Sequence, residues 1–368
     1  MTDGTFEPDW FSRPGETLSV LMSSRGLSAA DLAERLGCDR ERVRGLLSGM
    51  TAIDDDLASS LAEVVGGTSA FWRKRQATYE RCLARAADIV PAATAMKWLK
   101  QIPLSGMASS GWIERAPGRS EALRSCLAYF AVIGPDEWHS RYAQVAADVA
   151  FRTSPTFESN LGSLSAWLRQ AEIEATMTCC ATWSRDTLQA SLPGLRKLTL
   201  LREPSKFLPK LKAICANAGV ALVVLRAPQG CRASGATRFL RPNRAMVALS
   251  FRYLSEDHFW FTFFHEIGHL LLHRCTATFV DVDSSVTDER EREANDFAAT
   301  MLIPAASQGE MERLHPRKMA VIRFAASVEI PPGIVVGQMQ HRKLFGPDSL
   351  NYLKRRYTWQ DIDAAALA

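Results

Sequence analysis

His265-Glu266-Ile267-Gly268-His269 is an H-E-x-x-H pattern, which is typical of a metal-binding helix. On a helix, positions i and i+4 share one face, so both imidazoles can reach a single ion. Neutral imidazole nitrogens suit zinc, Zn2+. Glu266 follows the first histidine directly and can act as the general base that takes a proton from an attacking water molecule. The pattern therefore predicts His265 and His269 as metal ligands and Glu266 as a catalytic residue.

The residues around this pattern predict a buried helix over about 256–272. Aromatic side chains precede it and leucines follow it, namely Phe259, Trp260, Phe261, Phe263, Phe264, Leu270, Leu271 and Leu272. A helix that is apolar on nearly all sides lies inside a protein. Two histidines and a glutamate are costly there unless they bind something, which favours a metal site over a chance match on a surface helix.

A zinc site needs a third protein ligand, and a second helix predicted over about 288–302 offers one. Glu291 lies three positions before Ala294 and four before Asn295, so these side chains share a face. We expect Glu291 to be the third ligand and Asn295 to be a hydrogen-bond partner of a ligand histidine. Glu293 is the alternative third ligand. The glutamates of the charged run 289–293 can also be explained in part as a solvated face of the helix.

Other histidines and cysteines are weaker candidates for the same site. His273 follows the pattern by one turn, but it is also typical of a helix C-terminus. His341 comes after a turn predicted at Gly337 and could approach the site. Cys231 or Cys275 could occupy the open coordination position and silence the metal. Idle or buried thiols are the simpler interpretation of these two cysteines.

The segments before the pattern alternate between helical and strand-like sequence. Residues 207–218 predict a helix that is stopped by Gly219, and the apolar run 220–225 predicts a strand. Two further strands are predicted at 234–239 and 246–251. This mixture predicts an α+β, mostly helical chain, in which a small β-sheet accompanies the H-E-x-x-H helix.

The segment from Leu27 to Gly49 predicts a helix-turn-helix. Ser28 is a good N-cap, with Asp31 in the acidic role of a capping box. Gly37 makes the turn, and Asp39 caps the second helix. The pattern is typical of a DNA-binding module.

Four side chains of the second helix are candidate DNA contacts. Arg40, Glu41 and Arg44 are expected to face outward and reach base edges, and Arg42 is expected to contact phosphate. The acidic and basic charges across 28–49 cancel, so the electrostatic attraction to DNA is weak. A helical pair that serves only packing or dimerisation is the alternative.

Length and composition describe a globular protein with more than one domain. The 368 residues are 47% hydrophobic and 23% charged, and the net charge of +4 permits nucleic-acid binding without requiring it. No apolar run is long enough for a membrane span, and the N-terminus lacks a signal pattern, so a cytoplasmic location without membrane contact is expected. Pro193-Gly194 marks a boundary. We predict domains at 1–88 (helix-turn-helix), 89–195 (helical middle region), 196–304 (metallopeptidase) and 305–368 (helical extension).

Two parts of the chain resemble known families. Residues about 6–87 resemble HigA-type antitoxins with an XRE-like domain, through Glu7-Pro8-Asp9-Trp10, Arg13-Pro14-Gly15-Glu16-Thr17-Leu18, the helix-turn-helix and Phe71-Trp72. Residues about 205–304 resemble the ImmA/IrrE metallopeptidases, through Ser234 to Arg238, Leu249 to Tyr253, Asp257 to Phe261, His265 to His269 and Glu291-x-x-Ala294-Asn295. The tail at 332–337 continues the second resemblance.

The second resemblance implies a zincin-like metallopeptidase domain. Together the resemblances imply a DNA-binding zinc endopeptidase that regulates transcription by cleaving a repressor. The partners would be a DNA operator and a protein substrate, either a repressor or a toxin, and a homodimer is expected because such modules usually read paired half-sites. The competing hypothesis is a repressor of the toxin–antitoxin type whose metallopeptidase-like domain is a structural or sensing module.

Overall fold

The computed structural model describes residues 12–152, 161–273, 279–282 and 289–367. Within these ranges the chain is mostly α-helical and contains one four-stranded sheet, which confirms the predicted α+β class. Glu7-Pro8-Asp9-Trp10 and Cys275 lie outside the described residues.

The chain forms two compact units. The first comprises residues 1–146, 158–179 and 228–231, and the second comprises residues 147–157, 180–227 and 232–368. The domain boundaries expected after residues 88, 195 and 304 stay predictions.

Helices alone account for the regular structure of the described residues in 14–152 and 161–176. They are α1 (Pro14–Ser24), α2 (Ala29–Leu36), α3 (Arg40–Ser48), α4 (Asp55–Val65), α5 (Ser69–Ile89), α6 (Ala92–Leu99), α7 (Leu104–Ser109), α8 (Arg119–Phe130), α9 (Pro135–Arg152) and α10 (Leu161–Thr176). The first five enclose a small core around Leu32, Val43, Leu61 and Trp72.

Helices and all four strands make up the second unit. The helices are α11 (Arg185–Lys197), α12 (Pro204–Asn217), α13 (Glu256–Leu272), α14 (Glu289–Leu302), α15 (Ala305–Glu312), α16 (Lys318–Ser327), α17 (Pro332–His341) and α18 (Trp359–Leu367). The strands are β1 (Val220–Val224), β2 (Ala233–Arg241), β3 (Arg244–Leu249) and β4 (Phe279–Val282). The three predicted strands are present, and β4 is an addition.

The sheet has the order β1-β3-β2-β4 and is mixed. β1 runs parallel to β3, and β2 runs antiparallel to both β3 and β4. Helix α13 crosses beneath the sheet and buries Trp260, Phe263 and Phe264 completely in the main core. The burial predicted from the apolar sequence of this helix is confirmed, and the packing places Glu266 of the pattern against β2.

Two breaks expected from proline and glycine are wrong. Pro193 and Gly194 lie inside α11, where Leu188, Leu192 and Leu195 are buried along one face. A proline within a helix costs about 3 kcal/mol, and each buried leucine contributes roughly 1.5–3 kcal/mol, so burial keeps the helix continuous. Gly337 lies inside α17 rather than at a turn.

No single helix in the described ranges is long and apolar enough to cross a membrane. Helices α16 and α17 meet the length and composition of a span only as a pair, and they are bent by 108° at the break between them.

Candidate metal centre

The two histidines of the pattern converge on one point. His265 and His269 lie one turn apart on α13, and their Nε2 atoms are 3.0 Å apart. Their side chains are buried, with exposed fractions of 2% and 1%. Both imidazole edges therefore face the same small volume, as the i and i+4 spacing requires.

Glu291 of α14 completes the group. Its Oε2 lies 3.2 Å from Nε2 of His265, and its Oε1 lies 3.4 Å from Nε2 of His269. Glu293 points elsewhere, because its side chain is 54% exposed and its Oε2 lies 3.6 Å from Nδ1 of His273. Of the two glutamates that the sequence left open, the structure brings Glu291 to the histidines.

A glycine lets α14 approach α13 this closely. A Cβ atom added at Gly268 would lie 3.3 Å from Cα of Ala294 and 3.1 Å from Cδ1 of Phe297. Ala294 is small and fully buried on the facing helix. The close approach of the two backbones carries Glu291, one turn earlier on α14, up to the histidines.

Asn295 orients one of the histidines. Nδ1 of His265 lies 2.9 Å from Oδ1 of Asn295. With this carbonyl oxygen as the acceptor, the ring hydrogen is on Nδ1, and the Nε2 lone pair faces the group. Asn295 thus occupies the supporting position that the sequence predicts for it.

The buried environment favours the charge states that metal ligands need. Burial lowers the pKa of His269 to about 4, so its imidazole is neutral near pH 7. Burial alone would raise the pKa of Glu291, but its contacts with His265 and His269 outweigh burial and hold that pKa well below its usual value. The neutral His269 imidazole and the Glu291 carboxylate can therefore bind a cation without losing a proton.

The donor set matches what a metal ion requires. One ligand atom from each of His265, His269 and Glu291 can be chosen so that all three lie within 4.8 Å of one another. Two histidine nitrogens and one carboxylate oxygen are a ligand set found at catalytic zinc sites. The buried group can therefore hold a metal ion.

The predicted general base lies against the sheet. Glu266 is fully buried, and the hydroxyl of Thr237 on β2 donates a hydrogen bond to its Oε2. A Cβ atom at Gly235 would come within 2.4 Å of the Oε1 atom of Glu266, so a glycine on β2 makes room for the carboxylate. Both strand residues lie in the stretch from Ser234 to Arg238 that resembles the metallopeptidases, but the sequence assigns them no role, because only the packing of α13 on β2 brings them to Glu266.

The remaining candidates are not part of the buried trio. His273 follows the last residue of α13, and its ring packs on that of His269, with the centroids 5.2 Å apart. Its Nε2 lies 3.1 Å from the carbonyl oxygen of Arg290. His341 packs on Phe261, with the ring centroids 5.9 Å apart. Cys231 belongs to the first unit.

The first unit contains the predicted pair of helices. α2 begins at the capping box of Ser28 and Asp31, and Gly37 takes the left-handed conformation at its C-terminus. Asp39 caps α3 by accepting a hydrogen bond from the backbone N–H of Arg42. The capping pattern of both helices is therefore confirmed.

The candidate DNA contacts on α3 differ in exposure. Arg40 and Glu41 are exposed, and Arg42 is half-exposed with its Nη2 atom 3.8 Å from Asp54. Arg44 is only 32% exposed, and its Nε lies 2.9 Å from Oε1 of Glu174 on α10. Arg44 therefore departs from the expected outward position, because a neighbouring helix supplies a carboxylate for it.

Comparison with known families assigns part of the second unit. Residues 219–336, less than half of the chain, match the Peptidase_M78 family model, described as the IrrE N-terminal-like domain. This range holds the sheet, α13, α14 and the His265, His269 and Glu291 group. No curated protein and no solved structure matches the chain. The chain thus carries an IrrE-like metallopeptidase domain with a candidate metal site.

Proposed function

We propose that this protein is a zinc-dependent endopeptidase that regulates transcription by cleaving a helix-turn-helix repressor or a related regulator. The observation that carries the proposal is the convergence of His265, His269 and Glu291 inside a Peptidase_M78 domain. The resemblance to repressor-cleaving peptidases supports the choice of substrate.

Zinc and the residues around the group have separate roles in the proposed reaction. Zinc at this site supplies a Lewis acid, which polarises a carbonyl group and makes water acidic enough to react near neutral pH. Glu266 takes the proton from the attacking water and delivers it to the departing amine as the peptide C–N bond breaks. The hydrogen bond from Thr237 holds that carboxylate in one orientation.

We further propose that α3 binds a DNA operator and that the protein acts as a homodimer in the cytoplasm. The exposed Arg40 and Glu41 would read base edges, and Arg42 would contact phosphate. Arg44 must release Glu174 before it can join them. The capped pair of short helices supports this part of the proposal.

The alternative hypothesis is a repressor of the toxin–antitoxin type. In that case the metal domain only stabilises the protein or senses a ligand. The substitution Glu266→Gln separates the two hypotheses, because it leaves the three metal ligands intact. We expect the variant to bind as much zinc as the wild type and to lose proteolysis, since an amide cannot accept the proton.

The experiment compares new protein N-termini in cells that produce the wild type or the Glu266→Gln variant. The endopeptidase proposal expects at least one new N-terminus, within a DNA-binding regulator, that is present only with the wild type. Identical sets of N-termini, together with unchanged transcription, would reject proteolysis and favour the repressor.

A further inference from the structure

A cavity of about 510 Å³ lies inside the first unit, between α3, α5, α8 and α10. Its volume is within the usual range for ligand pockets. The segment 111–114, which connects α7 and α8, lines one side of it. Every residue that lines the cavity belongs to the first unit, whereas the candidate metal group belongs to the second. The cavity is therefore a site in its own right.

Aromatic and aliphatic side chains supply much of the lining. Tyr79 on α5 is 4% exposed, Ile113 is 8% exposed, and Trp112 is half-buried. The other apolar residues of the lining are Met50, Ala52, Leu83, Ala128 and Ile173. Aromatic rings pack well against one another, either offset or edge to face. The lining therefore favours a ligand with a flat apolar body.

The same lining contains a buried amide with an unused acceptor. Gln76 on α5 is 9% exposed, and its Nε2 donates a hydrogen bond to Oε1 of Glu80 at 2.8 Å. Because a carboxylate only accepts, the nitrogen of the amide faces Glu80 and the oxygen is left over. No described residue donates a hydrogen bond to this oxygen, and it is not among the unpartnered atoms that are closed to solvent. Gln76 and Glu80 can therefore accept hydrogen bonds from a cationic group in the cavity.

Charged side chains of both signs line the cavity, namely Glu41, Arg44, Glu80, Glu114 and Arg124. Arg44 is already engaged, because its Nε lies 2.9 Å from Oε1 of Glu174 and its Nη1 lies 3.8 Å from Oε1 of Glu41. Arg124 and Glu114 are exposed, and neither forms an ion pair with a described residue. A ligand with a charge of one sign would answer only one part of this lining, so a zwitterion suits it best.

Glu80 and Arg124 lie on neighbouring helices. α5 packs against α8, and each helix contributes one of these two side chains to the lining. The two side chains do not pair with each other, so a ligand can lie between them. An α-amino acid carries its ammonium and its carboxylate on a single carbon atom, and it can therefore bridge the two helices.

We propose that this cavity binds a free aromatic amino acid in its zwitterionic form. The ring would pack against Tyr79 and Trp112, the ammonium would donate to Glu80 and to Oε1 of Gln76, and the carboxylate would accept from Arg124. The proposal depends neither on proteolysis nor on operator binding. Since α3 forms one wall, the bound amino acid would also contact the helix that we propose for the operator.

Isothermal titration of the full-length protein with L-phenylalanine, L-tyrosine and L-tryptophan is the first part of the test. The amino acid that binds best is then compared with its amine, which lacks the carboxylate, and with its deaminated acid, which lacks the ammonium. We expect the amino acid to bind at least about tenfold more tightly than either analogue, because each analogue loses a hydrogen bond to a charged group. Absence of binding by all three amino acids, or equal affinity for an analogue, would overturn the proposal.

Two variants at exposed positions assign the ends of the ligand. Arg124→Gln should weaken binding of the amino acid about tenfold and leave binding of the amine unchanged, because the amine has no carboxylate to lose. Glu80→Gln should weaken the amino acid similarly and leave the deaminated acid unchanged. Affinity for the amino acid that survives both substitutions would place it at another site and contradict the proposal.

Matched controls separate the cavity from the overall charge of the protein. Arg85→Gln on α5 and Glu63→Gln on α4 make the same changes at exposed positions that do not line the cavity. Both controls should bind the amino acid as the wild type does, and thermal unfolding should confirm that all four variants are folded. Equal losses in the controls and in the cavity variants would reject the assigned site.

Discussion

Two glutamates separated by one residue have opposite environments at the candidate metal centre. Glu291 is 4% exposed and contacts both histidines, whereas the side chain of Glu293 is 54% exposed. We predict that Glu291→Gln weakens zinc binding by more than about 100-fold, because a ligand carboxylate contributes more than its supporting partners do. Glu293→Gln should change the affinity less than about threefold, as expected for a group outside the site.

Competition with a chromophoric zinc chelator measures both affinities. Equal losses in the two variants, or a loss confined to Glu293→Gln, would transfer the third ligand to the exposed glutamate. The carboxylate charge of Glu291 is fixed over the working range, since its pKa lies well below the usual value.

Some residues near the site can be predicted from the sequence, and others cannot. His265, His269, Glu291 and Asn295 lie on two helices at spacings that can be read along the chain. Thr237 contacts Glu266 only because α13 packs against β2. That contact depends on tertiary packing across 29 residues of sequence, for which the local pattern contains no signal.

Among the elements, the packing of α13 against α14 determines the geometry of the metal group. We predict that Gly268→Ala weakens zinc binding by about tenfold while the fold is retained, because the new Cβ would press on Ala294 and Phe297 and move Glu291 away. Gly194→Ala is the matched control, since its Cβ meets nothing within 4 Å.

The chelator titration and thermal unfolding distinguish the two glycine variants. Gly194→Ala should raise stability by roughly 0.5–1 kcal/mol through its better helix propensity and leave zinc affinity unchanged. Unchanged zinc affinity in Gly268→Ala would mean that the helix approach is not what positions Glu291.

The boundaries predicted from the sequence agree best with the structure where an element is strongly buried. The apolar run around the pattern predicts a helix over 256–272, and α13 has these bounds. The proline and glycine signals failed inside α11 and α17, where buried apolar faces outweigh local helix breakers. β4, which pairs with β2, is only four residues long, so its sequence carries little period-2 signal of its own.

At the scale of the whole molecule, the two compact units carry separate parts of the proposed function. The second unit holds the metallopeptidase domain and the metal group. The first unit holds α2 and α3, and operator binding rests on their pattern and on the exposed side chains of α3. The composition of the chain permits both activities but determines neither, because function depends on sites rather than on fold class.

The central claim is that the buried trio binds zinc, and elemental analysis of the purified full-length protein tests it most directly. The comparison includes the wild type, His265→Ala and His315→Ala, the last being an exposed histidine outside the group. The account predicts about one zinc per chain in the wild type and in His315→Ala, and less than about a tenth of that in His265→Ala. Equal zinc in all three proteins, each with an unchanged thermal unfolding transition, would contradict it.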